Sequence, residues 1–243
     1  MNSDDLKSRA QALRAAGNNP KQIARTLGIP RSQAVSLIHS SPSPRSDRTA
    51  VPDKRLIGCW ISRQWSNGLT ITDRPADWID DPDLPPLAMG AGLPSICVAR
   101  EHTDTEASVC GYLVDTYCQG VKNAVPPSLV DRRDLPAFVA DFFSAYHAEP
   151  LTAPIALAQD LILGAVDYAA GLGFDPHRDF YLAKPHLGAW QPPSRIQFGL
   201  HGRPYFQQGP YDNPSRIIRT LDKSVGPGNY GFTTNITISS DPR

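Results

Sequence analysis
No hydrophobic run in this chain approaches the roughly 18 residues of a membrane-spanning helix, so the sequence gives no expectation of a membrane span. The first residues, Met-Asn-Ser-Asp-Asp-Leu-Lys, lack the basic stretch followed by an apolar one that marks a secretory signal, which points to a cytoplasmic protein. Cysteine is scarce. Cys59, Cys97, Cys110 and Cys118 show no Cys-x-x-Cys spacing and lie in apolar surroundings, as expected of reduced, buried thiols. Histidines show no paired ligand spacing, and Cys110 and Cys118 on one continuous strand would stand about 26 Å apart, so no metal site is expected. Walker-type phosphate loops, Gly-x-Gly-x-x-Gly runs and a Ser/His/Asp motif are missing, and no cofactor is expected. Net charge is zero over 243 residues. That balance hides an asymmetry.

Residues 1–50 hold eight basic side chains against three acidic ones, a net +5 that the remainder offsets. Such a split is typical of a nucleic-acid-binding module joined to an ordinary domain. Within it, Leu6, Ala10, Leu13 and Ala16 recur at helical spacing, with Ser3 as a cap and Gly17-Asn18-Asn19 as a stop. Asn19 and Pro20 open a second helix whose apolar face is Ile23, Ala24 and Leu27 and which ends at Gly28. After the turn Gly28-Ile29-Pro30, a third helix runs to His39 and buries Ala34, Leu37 and Ile38.

The stretch Pro20 to Ile38 resembles the helix-turn-helix of bacterial repressors and recombinases, a likeness covering about 35 residues. It departs at Ala34, where such motifs often carry a larger aliphatic residue. The resemblance implies that helix three enters the major groove by its amino-terminal half, making Arg31, Ser32, Gln33 and Ser36 the residues that reach base edges. Lys21, Arg25 and Arg14 then contact phosphate, giving affinity and salt dependence with little sequence preference. A three-helix scaffold that binds another protein is the alternative. So small a module buries little surface, which predicts support from the larger domain or pairing with a copy of itself. No heptads are present, so a homodimer interface is expected in the larger domain.

Proline, at 24 residues, is abundant and predicts many turns and short elements. Residues 41–54 read as a Pro/Ser-rich linker, leaving residues 1–40 as the helix-turn-helix module and 55–243 as a larger domain of unknown function. Strand-like runs cover 56–61, 69–71, 95–100 and 107–117, with a polar hairpin turn at 101–106 and an irregular, Pro- and Asp-rich loop from Asp73 to Pro94. Helical patterns follow at about 134–147 and 153–170, the second apolar nearly all round and therefore central. A hairpin is expected between 195–199 and 204–208, then a helix from Pro214 to about Val225 capped by Asn213. Strands segregated from helices predict an α+β domain with an antiparallel or mixed sheet and packed helices. The segments Tyr112 to Asn123 and Gly164 to Phe180 resemble a family of uncharacterised bacterial proteins, a likeness spanning most of residues 56–232 that implies one coherent domain and no activity.

Within that domain Asp115, Cys118, Lys122 and Asn123 fall where an apolar strand gives way to a polar turn. A thiolate at Cys118, activated by Lys122 or His177, is the chemical reading; a small buried thiol beside a turn-capping aspartate is the structural one. His177 lies two residues from Asp179, a spacing that would let the carboxylate orient an imidazole base. The run Gly209 to Pro214 precedes a helix whose free amides, with Arg216 and Arg219 nearby, could hold an anion. The sequence thus favours a cytoplasmic DNA-binding regulator whose larger domain dimerises or senses a small molecule. An enzyme delivered to nucleic acid or a small molecule, and a protein-binding adaptor, are the two alternatives.

Overall fold
The computed structural model describes residues 54–81, 91–146 and 148–234, together with Leu6, Arg9 and residues 25–29. The chain divides into two units at Ala50. In the first, Leu6, Arg9 and Arg25–Leu27 are helical. Gly28 follows with φ of +65°, the left-handed conformation that ends a helix and that glycine adopts without a side-chain clash. The remainder of the three-helix expectation lies outside the described residues.

The larger unit is α+β, built on a five-stranded antiparallel sheet in the order β5-β4-β3-β1-β6. Its strands are β1 (Leu56–Ile61), β3 (Ser95–Glu101), β4 (Glu106–Asp115), β5 (Gly120–Asp131) and β6 (Leu151–Thr152). β3 is central and buried along nearly its whole length, because helices cover both of its faces. On one face Ile96, Val98, Cys110, Tyr112 and Val114 meet Leu157, Leu161, Ile162 and Ala165 of α2 (Ile155–Gly171). On the other, Cys97, Ala99, Ala107 and Val109 meet Leu135, Val139 and Phe143 at α1 (Leu135–Phe142). The apolar girth of α2 has its reason here: one side packs on the sheet and another on Ile196 and Phe198. The polar turn between β3 and β4 forms as expected, closed by His102 N–H donating to the Glu106 carbonyl at 2.9 Å.

β5, at 12 residues the longest strand, escapes the sequence pattern because Pro126 and Pro127 interrupt it. They are tolerated at an edge strand and at a bulge, where the register passes from Val125 opposite Gly111 to Ser128 opposite Val109. The polar turn expected after β4 is correspondingly shorter, only Thr116 to Gln119, so Lys122 and Asn123 belong to β5. α1 stops at Phe142, short of the expected His147, and tight turns follow that let the Tyr146 hydroxyl meet Ser95 Oγ at 2.7 Å.

Of the hairpin expected between 195–199 and 204–208, the turn forms, closed by an antiparallel bridge between Leu200 and Arg203, but the flanking runs do not pair with each other. β7 (Ile196–Gln197) instead pairs antiparallel with β2 (Thr70–Ile71), and β8 (Tyr205–Gln207) runs parallel to β9 (Gly231–Thr233). The flanks spend their hydrogen bonds elsewhere: Gly199 N–H donates to Thr116 O and Tyr205 N–H to Tyr117 O, so both dock on the β4–β5 turn. Between β8 and β9 runs α4 (Pro214–Ser224), with Asn213 as its cap; α3 (Phe180–Ala183) and a 3₁₀ turn (Lys184–Leu187) fill the end of the α2 side. Ile217 and Leu221 of α4 close a smaller core with Leu172, Phe206 and Cys118.

Candidate functional site
The β4–β5 turn is built around a buried carboxylate. Asp115 is 4% exposed, and its Oδ1 accepts N–H groups from both Tyr117 and Cys118 at 2.9 Å. Burial pushes its pKa up, against the opposing pull of Lys122 and of the turn amides. Asp115 therefore holds the turn that it begins. Gly120 then re-enters the sheet with φ of +68°, and a Cβ there would stand 2.8 Å from the Ala165 carbonyl of α2.

Cys118 is fully buried, and burial raises its thiol far above the ordinary cysteine range, with Asp115 adding to the shift and Lys122 opposing it. At neutral pH this sulfur is a protonated thiol inside the small core. Thus the structure separates two of the sequence candidates, Asp115 and Cys118, from solvent.

Lys122 and His177 come together instead, in a cleft of about 340 Å³. Three separate segments form it. β5 contributes Val121 and Lys122, the loop after α2 contributes Phe174, Asp175 and His177, and the start of α4 contributes Asp212 and Arg216. β5 carries the loop with it: His177 N–H donates to the Val121 carbonyl at 2.9 Å. Lys122 Nζ donates to Asp212 Oδ2 at 2.6 Å, and the same oxygen accepts Gly209 N–H at 2.8 Å. Both side chains of this pair are mostly buried, at 16% and 11% exposure.

The spacing of His177 and Asp179 does not yield the expected orienting bond. His177 Nδ1 lies 3.9 Å from the Asp179 carboxylate and accepts the Asp179 backbone N–H at 3.3 Å. A ring nitrogen that accepts cannot also donate to the carboxylate, so the imidazole is held by backbone geometry. Arg219 turns back on its own helix, donating from Nε to the Ser215 carbonyl, and does not line the cleft. Nothing in the sequence marks Asp212 as the partner of Lys122 or places Asp175 in the same cleft. Their convergence follows from β5, which the two prolines conceal.

Of the residues expected to meet DNA, Arg25 is described, and it is helical and exposed. Arg14, Lys21, Arg31, Ser32, Gln33 and Ser36 lie outside the described residues. Among the described residues no group of three or more His, Cys, Asp or Glu side chains is placed to hold a metal ion, and no helix is long and apolar enough to cross a membrane. Comparison with protein families, with curated proteins and with solved structures returns no match, so functional argument rests on the chain's own residues.

Proposed function
We propose that the chain is a DNA-binding regulator, in which residues 1–40 read DNA as a helix-turn-helix and the α+β domain dimerises or senses a small molecule. The observation that carries this reading is a short helical stretch that ends in a left-handed glycine. Arg25–Leu27 are helical, and Gly28 takes the left-handed conformation at the position where the motif requires a tight turn before its recognition helix. Arg25 is exposed beside that turn, within a segment of net +5. Leu27 and Ile29 flank the glycine and are half-buried, consistent with apolar residues closing the corner between two helices.

In this reading Arg25 with Lys21 and Arg14 supplies phosphate contacts, and Arg31, Ser32, Gln33 and Ser36 supply base contacts. Selection from random duplexes with the full chain tests it. Enrichment of a defined sequence supports the proposal, and failure to retain any duplex at low salt removes it. Arg31→Ala is expected to relax specificity at one position, at a cost of about 1–3 kcal/mol, whereas Lys21→Ala is expected to weaken all sequences alike.

A further inference from the structure
We propose that the cleft between β5, the 174–177 loop and the start of α4 binds a small oxyanion, the phosphate or carboxylate group of a metabolite-sized ligand. The cleft holds unspent hydrogen-bond donors. An ammonium group has three N–H donors, and Lys122 spends one of them, on Asp212 at 2.6 Å. Its side chain is only 16% exposed, so bulk water has limited access to the remaining two. Arg216, exposed on α4, lines the same cleft, and its guanidinium makes no hydrogen bond or ion pair among the described residues. A planar five-donor group of this kind matches phosphate and carboxylate geometry.

The acidic groups in the cleft leave this surplus standing. Asp212 Oδ2 is already loaded by Lys122 and by Gly209 N–H. Asp175 opposes an anion and, like Arg216, is exposed at the rim, where solvent and salt screen both charges, so what remains are the donors of Lys122 and the guanidinium geometry. The amino terminus of α4 is not what makes the site, because Asn213 Oδ1 already accepts Arg216 N–H in its first turn. The side chains make it. About 340 Å³ suits a small ligand, with Phe174, Val121 and Ile217 as apolar walls beside the donors.

Thermal denaturation of the full chain tests the inference, with phosphate or acetate replacing chloride at constant ionic strength. Either ion is expected to raise Tm saturably, by about 2–4 °C at concentrations several-fold above its Kd. Arg216→Gln is expected to keep the Tm measured in chloride and to lose the rise. If phosphate acts at a tenfold lower concentration than acetate, the ligand group is a phosphate; the reverse order assigns a carboxylate. A rise that never saturates, or one that Arg216→Gln retains, is the general salting effect of the ion and overturns the site. So does no rise with either ion. No DNA is present, so failure here leaves the DNA reading untouched, and failure of DNA selection leaves this one untouched.

Discussion
His186 shows how one side chain ties the pH response of the larger domain to its packing. Its Nε2 lies 3.0 Å from Ser108 Oγ, and burial lowers its pKa below 6.5, with Arg100 and Lys54 adding to the shift and the Ser108 backbone opposing it. The unfolded chain therefore takes up a proton at a higher pH than the folded one. Stability from this residue is present above about pH 6.5 and is lost as pH falls below it. A plot of Tm against pH from 7.5 to 5 is expected to fall across that window, and His186→Gln to flatten the fall. The thiols give a second residue-scale test. Burial raises Cys59, Cys97 and Cys110 to about 12, and Cys118 higher, so a thiol reagent is expected to react only when the chain unfolds and then to count four groups. Prompt labelling of the native chain at Cys118 would restore the nucleophile reading that its burial now opposes.

At the scale of elements, the β4–β5 turn positions the cleft. Lys122 sits two residues beyond Gly120, and Gly120 has both a left-handed φ and no room for a Cβ against the α2 backbone. Gly120→Ala is expected to cost about 2–4 kcal/mol, combining the unfavourable backbone conformation with overpacking, as measured by denaturant unfolding. β1, β3 and β4 were legible because β-branched and aromatic residues cluster in them, and α2 because its apolar pattern is long. β5 was hidden by Pro126 and Pro127, whose cost a bulge on an edge strand removes. With it were hidden the partner of Lys122 and the neighbourhood of His177. The missing ladder of the 195–208 hairpin has a related cause: local alternation and Leu200-His201-Gly202 favour the turn that forms, while long-range bonds to Thr116 and Tyr117 draw its flanks away from each other. Lys122 and His177, 55 residues apart, were both singled out for charge and spacing, but only the fold makes them neighbours.

In the whole molecule a basic segment of net +5 precedes an α+β domain that carries the compensating charge and a donor-rich cleft. Its core is the stability reserve of that domain. Leu161 of α2 is fully buried between the sheet and its neighbours, and Leu161→Ala is expected to lower unfolding free energy by about 2–5 kcal/mol. A loss well below that range would mean that α2 is not the central helix of the core. Binding to DNA is tested by titrating the full chain against its selected duplex over a series of salt concentrations. Log K is expected to fall linearly with log salt, with a slope of about −3 if Arg14, Lys21 and Arg25 each neutralise one phosphate, and Arg25→Ala is expected to lower the steepness by about one. Affinity that does not change with salt, or an Arg25→Ala variant with the slope of the parent chain, would contradict it.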